Sequence, residues 1–351
     1  MKALSPTAEE FRPSGTTIYA VARQAGVSIS TVSRVLRGTA PVAEETRSRV
    51  LAAVEDLHYR PNRLGRSLAE GRHAANGIVF PDLSGPYFAE VVLGYEEVAA
   101  ECGRSVLILS THGGEAARDM VTDLAGRVDG MVILGDTVDD DVIHDLAGGG
   151  LPLVLIARQQ LTEVDAVTSE NAKSVEVLAR HLVDDHGYRD LVFLGDAESS
   201  PDTAQRWHSF REVLNRHGVG PPNEPVRCAF DEEAGATAAA TVLRHRTPQV
   251  LVCANDEIAL GAITAAEQLG LAVPGDVAVT GWDDIMAARH SRPGLTTVRQ
   301  PMRPLGEWAA RRLHERLSGD RSEPQHEILP TELVVRSSCG RHDDHNVEED
   351  R

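Results

Sequence analysis

At 351 residues the chain is too long for one typical domain and suits two or three. A net charge of −18 argues against binding of nucleic acid or an anionic membrane by the whole molecule, and four scattered cysteines with no Cys-x-x-Cys pairing fit a reducing compartment. The average hides an asymmetry. Residues 1–72 hold 11 basic and 7 acidic side chains, whereas the rest of the chain holds 24 and 46, which makes a short basic head on a large acidic body. That arrangement is a nucleic-acid signal. The first fifteen residues carry no apolar leader segment, and the longest apolar runs, such as 151–157, fall far short of the ~20 residues of a membrane span. A cytoplasmic chain with no membrane partner is expected, with residues 1–15 and the acidic end 340–351 disordered.

Three short helices are predicted in the head, within residues 16–58. Ile18 to Ala25 places Ile18, Val21, Ala22 and Ala25 at the i, i+3, i+4, i+7 spacing of one buried face. Gly26 suits a turn that needs positive φ, and Ser28 offers an N-cap hydroxyl. Ile29 to Leu36 turns Val32, Val35 and Leu36 inward and leaves Ile29, Ser30, Ser33 and Arg34 outside, with Gly38 as its end. About Glu44 to Leu57, two acids open a third helix that buries Val50, Val54 and Leu57. Two helices joined by a glycine turn and closed by a third describe a helix-turn-helix unit, whose second helix enters the major groove. Arg34 could then give guanine a bidentate contact, although a small three-helix domain that binds protein has the same pattern.

TIYAVARQAGVSISTVSRVLRG, followed by PVAEETRSRVLAAVEDLHYRPNRLGRSL, closely resembles the DNA-binding head and hinge of the lactose-repressor (LacI/GalR) family of bacterial transcription regulators. The resemblance implies that Ile29, Ser30 and Arg34 read bases, while Ser28, Thr31, Ser33 and Arg37 contact phosphate or support the helix. It also implies that residues 59–72 form a hinge helix on operator DNA, with Asn62 and Arg63 at the duplex and Leu68 wedged into the minor groove. Such a wedge unstacks a base step and bends the duplex. Gly65 stands where the family more often has Ala, which raises the cost of folding the hinge by about 1 kcal/mol. Two helix starts also depart from the family pattern: Ala20 replaces the usual acid and Ala43 the frequent Ser.

From residue 76 the pattern alternates. Strands are predicted at 76–80, 105–109, 129–134, 152–156, 190–195, 249–253 and 276–281, with helices between, for example 86–102, 171–186, 202–217, 231–245 and 255–269. Continuous apolar strands separated by helices imply parallel sheets covered on both faces, here in two lobes sharing a ligand cleft at the strand carboxyl ends. No Gly-x-Gly-x-x-Gly follows a strand, and no Walker sequence, catalytic triad or locally spaced metal cluster is present. His181 and His186 read as surface residues of a helix; Cys339, His342 and His345 have ligand types but fall at an end read as disordered. No catalytic residue, metal or cofactor is expected.

The motifs VFPDLSGPYFAEVVLGYEEVA, ANDEIALGAITA, VPGDVAVTGWDDI, PGLTTVRQP and LPTELVVRSSC resemble the effector-binding core of the same family, which has the fold of periplasmic sugar-binding proteins. The resemblance spans about residues 16–339. It implies a core at 73–339, with an N-lobe of about 73–170 plus 301–329 and a C-lobe of about 171–298 plus 331–339. It also implies effector contacts at Tyr87, Phe88, Arg206, Phe230, Asn255 and Asp283. Those residue types suit a polyhydroxylated ligand: Asp and Asn pair with vicinal hydroxyls, Arg donates in a fork, and aromatic faces pack on C–H groups. Ala157 stands where many relatives have Asp, so one polar anchor is missing. The implied protein is a homodimeric repressor of palindromic operator DNA controlled by a small carbohydrate-like effector. Corepression or activation is the alternative inside the family, and a cytoplasmic sugar-binding protein without a DNA role is the alternative outside it.

Overall fold

The computed structural model describes residues 17–38, 40–59, 73–220 and 224–340, and the chain folds as two units that divide between His73 and Ala74. The expected disordered ends, 1–15 and 340–351 save for Gly340, almost all of the expected hinge with Asn62, Arg63 and Leu68, and the side chain of Arg37 lie outside the described residues.

The head is three helices: α1 (Ile18–Ala25), α2 (Ile29–Arg37) and α3 (Glu44–Asp56). Val21, Ala22, Ala25, Val32, Val35, Val50 and Ala53 form its core, with Ile18, Leu36, Val54 and Leu57 half-buried around it. Gly26 takes φ +63°, its N–H donates to the Arg23 carbonyl and the Val27 N–H to the Ala22 carbonyl. These two bonds close α1 and turn the chain sharply into α2; an L side chain at Gly26 would be strained. Ser28 caps α2 by accepting from the Thr31 N–H, as the sequence implies. At Ala43 no side chain caps α3, and Glu44 and Glu45 in its first turn supply the favourable charge instead.

In the body, β1 (Ala75–Phe80), β2 (Ser105–Ser110), β3 (Gly130–Leu134), β4 (Leu153–Ile156), β5 (Asp165–Ser169) and β10 (His326–Leu329) form one parallel sheet in the order β10-β5-β4-β3-β1-β2. On one face, α4 (Pro86–Glu101) and α12 (Met302–Leu317) pack Tyr95, Val91, Leu305 and Leu313 against Ile78, Phe80 and Val132. On the other, α5 (Ala117–Ala125) and α6 (Asp140–Gly148) bring Val121, Leu124, Val142 and Ile143 to Val79, Met131 and Ile133. Parallel strands covered on both faces read as unbroken apolar runs, and that is why β1, β3 and β4 are visible in the sequence.

A second parallel sheet runs β6 (Leu191–Leu194), β7 (Val250–Cys253), β8 (Ala278–Thr280) in the order β6-β7-β8. α7 (Ala172–Arg180), α8 (Pro201–Arg216), α9 (Glu232–His245) and α10 (Asp256–Gln268) enclose a core built on Phe193, Phe210, Leu214, Val252, Ile258 and Trp282. The short helix α11 (Met286–His290) follows β8, and β9 (Thr297–Arg299) pairs antiparallel with β11 (Glu332–Val334). The predicted helix over 171–186 is not uniform: α7 stops at Arg180 and a wider π turn takes over at His181–Asp185. Among the described residues, no helix is long and apolar enough to cross a membrane.

Candidate functional site

The exposed face of α2 carries the residues singled out for DNA. Ser28, Ile29, Ser30 and Arg34 are exposed, and Thr31 and Ser33 are half-buried. The Ser28 hydroxyl lies 2.8 Å from that of Ser30 and 2.9 Å from that of Thr31, so part of this polar surface is organised by its own cap. An apolar inner side of Val32 and Val35 holds the helix while its outer side and N-terminal turn stay open. This is the geometry a groove-reading helix needs, with N-terminal residues toward base edges.

In the body, loops after the strand carboxyl ends converge. A cavity of about 1190 Å³ is lined by Asp136, Asp139, Asp140, Arg158 and Gln159 after β3 and β4, and by Ser169, Asn171, Glu198, Asp202 and Gln205 beside β5, β6 and α8. Arg206 stands behind this wall. Buried on α8, it donates from Nε to Asn171 Oδ1 (2.8 Å) and from Nη1 to the Ala254 carbonyl (3.0 Å), and Asp202 Oδ2 lies 3.6 Å from Nη2. Its guanidinium sits 4.5 Å from the Trp282 ring centroid. Asn171 in turn donates to Asp202 Oδ1 and Gln205 Oε1, both at 3.0 Å.

Asp283 lies after β8 with φ +125°, buried, and accepts from Gln300 Nε2 at 2.6 Å. Burial, and then the nearby Asp256 carboxylate, hold its carboxyl well above the usual range, against the pull of Arg206 and Gln300. Tyr87, in the first turn of α4, brings its hydroxyl into the same field: burial, then Asp202 and Asp283, raise its pKa far above 10, opposed by Arg206. Tyr87, Arg206 and Asp283 are therefore brought together from parts of the chain some two hundred residues apart. Three buried polar atoms here have no hydrogen-bond partner among the described residues: Tyr87 Oη, Trp282 Nε1 and Gln300 Oε1. A buried polar atom without a partner costs about 1–3 kcal/mol. Each of the three belongs to a residue beside Arg206 or Asp283.

The other three predicted contacts have local roles. Asn255 caps α10, accepting from the Ile258 N–H (2.9 Å) and donating to the Phe230 carbonyl (3.0 Å). Phe230 is half-buried against the second core. Phe88 stacks edge-on between Phe80 and Tyr87, with centroids 5.6 and 5.4 Å away. Asn171, Asp202, Gln205, Trp282 and Gln300 stand around Arg206 and Asp283 with no such role expected from the sequence. The spacing of Asp202 and Arg206, one turn apart at the start of α8, was the available signal; Asn171 and Gln300 give none, because their meaning depends on what lies opposite. Ala157, where the sequence lacks the family's Asp, adopts φ +54°, and neighbouring Arg158 is buried, donating to the Gly135 and Val138 carbonyls and pairing with Asp140. A left-handed backbone tolerates Asp and Asn better than Ala, so Ala157 holds this conformation at some cost.

Comparison with known proteins agrees with both parts. Residues 17–62 match the model of bacterial regulatory proteins, lacI family, and residues 179–339 match a periplasmic binding protein-like domain. The chain is 33% identical over 327 residues to the HTH-type transcriptional repressor PurR of Photobacterium profundum, covering 92% of this chain and 98% of that one. Among solved structures, the lac repressor dimer bound to operator and the anti-inducer ONPF superposes with a TM-score of 0.82 at 27% identity, covering 93% of this chain and 100% of that one. The complex of the transcriptional regulator CelR with cellobiose gives 0.69 at 29% identity, covering 92% and 99%.

Proposed function

This chain belongs to the lacI family of bacterial regulatory proteins, and from that premise we propose that it is a homodimeric, cytoplasmic repressor whose hold on operator DNA is set by a small polyhydroxylated ligand in the cleft of its core. The observation that carries the ligand half is the trio of unpartnered buried atoms on Tyr87, Trp282 and Gln300 beside Arg206 and Asp283. A sugar edge would satisfy all three: its hydroxyls accept from Trp282 Nε1–H, donate to Gln300 Oε1 and pair with the Tyr87 hydroxyl, beside Arg206 and Asp283. The cellobiose complex of CelR supports a carbohydrate, and the operator-bound lac repressor dimer supports a dimer on DNA. In the head, Arg34, Ile29 and Ser30 are assigned to bases and Ser28, Thr31, Ser33 and Arg37 to phosphate or helix support. Asn62, Arg63 and Leu68 are assigned to the hinge contacts on DNA. Phe88, Phe230 and Asn255 are assigned to ligand contact with Tyr87, Arg206 and Asp283. The cleft binds and does not turn its ligand over.

The test has two stages. A thermal-shift screen of mono- and oligosaccharides, beginning with cellobiose, identifies a ligand; at 100 times its Kd such a ligand adds about 2.7 kcal/mol. Duplexes selected from a random DNA library on the full chain then define the operator. Binding is measured with and without the ligand. A palindromic site whose affinity changes with ligand is expected, and ligand affinity must change by the same factor when operator is bound. Selection of no preferred sequence would overturn the DNA reading, and equal operator affinities with every bound sugar would overturn the coupling.

A further inference from the structure

His181 and His186 are five residues apart. On a regular α-helix that spacing points two side chains away from each other. The chain avoids this by widening into the π turn His181–Asp185, in which the His186 N–H donates to the His181 carbonyl at 3.3 Å. The turn sets the two imidazoles on one side, with Nε2 atoms 3.3 Å apart. Such turns inside helices gather at functional sites. The last short turn of the described chain, Ser337–Cys339, then brings the buried Cys339 thiol to 3.5 Å from His181 Nε2, and all three donor atoms lie within 4.8 Å of one another.

We propose that His181, His186 and Cys339 form a binding site for a zinc-class divalent cation that fastens the C-terminal segment to α7. The two separations from His181 Nε2, 3.3 Å to His186 Nε2 and 3.5 Å to Cys339 Sγ, fit this chemistry. Tetrahedral zinc with bonds of about 2.0–2.1 Å to nitrogen and 2.3 Å to sulfur requires donor separations of about 3.3 Å between nitrogens and about 3.6 Å between nitrogen and sulfur. The surroundings orient the donors. Asp185 Oδ2 lies 2.8 Å from His181 Nδ1, which keeps a proton on that nitrogen and turns the Nε2 lone pair to the centre. Tyr188 stacks on His186, with planes 11° apart, and donates its hydroxyl hydrogen to the Cys339 carbonyl at 3.0 Å. Gly340 leaves room, since a Cβ there would sit 2.8 Å from His186 Cε1. On binding, the sulfur–metal bond replaces the thiol S–H bond and the proton passes to solvent. Water takes the fourth position. The cluster precedes the start of β6, whereas the ligand cleft follows the strand carboxyl ends, so this site is separate from the proposed effector site.

The full chain without a histidine tag is titrated with Co²⁺, whose thiolate charge-transfer band reports a sulfur ligand directly. One equivalent per chain should give that band with the visible spectrum of a tetrahedral centre, and Zn²⁺ should displace it. Cys339→Ser should abolish the band, and Asp185→Asn should weaken Co²⁺ binding by about 10–100-fold while keeping it. If Cys339→Ser does not fold, judged by far-ultraviolet circular dichroism, His186→Gln serves as the second variant and should also lose stoichiometric binding. No charge-transfer band in the wild-type chain, or a band that survives in folded Cys339→Ser or His186→Gln, overturns the site.

Discussion

Tyr87 shows how one side chain can work against the unliganded fold. Its hydroxyl is buried with no hydrogen-bond partner among the described residues, a desolvation cost of about 1–3 kcal/mol that the proposed ligand's hydroxyl would relieve. Tyr87→Phe should therefore stabilise the unliganded chain in a denaturant melt and weaken ligand binding about tenfold by calorimetry. A stabilised variant with unaltered ligand affinity would reduce Tyr87 to a packing residue. Arg34 belongs to the same scale. Its side chain is exposed on α2, so Arg34→Ala should leave the melt unchanged, cost about 1–3 kcal/mol on the preferred operator and relax selection at one base position. Uniform weakening across sequences would make it a phosphate contact. Of the six predicted ligand contacts, Tyr87, Arg206 and Asp283 converge, whereas the Asn255 side chain serves as the cap of α10. An Asn before a helix is legible as a cap, and its second use can be judged only from the room left around it.

Two helix pairs approach to backbone contact at paired glycines. In α9 and α10, a Cβ on Gly261 would lie 2.1 Å from the Glu232 carbonyl oxygen and one on Gly235 would lie 2.6 Å from Ile258 Cα. α4 and α12 repeat the device with Gly94 and Gly306. Alanine would gain about 1 kcal/mol of helix propensity, but a collision with backbone cannot be relieved by a rotamer change and overpacking costs about 1–3 kcal/mol. Gly261→Ala should thus lower stability, read as a lower denaturant midpoint; an unchanged or raised midpoint would mean that the helices separate freely. Two strands of the first sheet, β5 and β10, go unpredicted for a common cause. β5 begins with Asp165, buried against Arg312 and Arg316, and β10 is a mostly exposed edge strand. Neither presents the apolar run that marks a central strand. At Asp165, burial pushes the carboxyl up, yet Arg316, the Gln325 N–H and Arg312 outweigh it and hold the pKa low.

Across the whole body, acidic groups crowd the start of α10. Burial, then Asp231, Glu232 and Asp256, raise the Glu257 carboxyl to about 7, and burial raises Asp256 to about 6. An unfolded glutamate loses its proton near 4.5. Between 4.5 and 7 the folded chain holds the extra proton, so the Glu257 contribution to stability is greatest below that window and falls as pH rises through it. Glu257→Gln should consequently raise the melting temperature at pH 8 and have little effect at pH 4.5; an equal shift at both values would assign the effect to packing. The net −22 of the body has a second consequence at this scale. With attraction to phosphates confined to the basic head, operator binding should weaken steeply with salt, with a slope set by the head's contacts alone.

The sequence by itself determined the two-part plan, the three helices of the head, the glycine turn between the first two, and the parallel α/β class of the body. Each is written in local periodicity, in a single turn residue or in an uninterrupted apolar strand, and needs no distant partner to be read. Tertiary structure alone decided which polar groups meet. Arg206 with Asp283 and Tyr87, and His181 with His186 and Cys339, are joined by strand order and by one π turn, because a side chain's chemistry is set by the field and donors opposite it and the linear spacing carries neither.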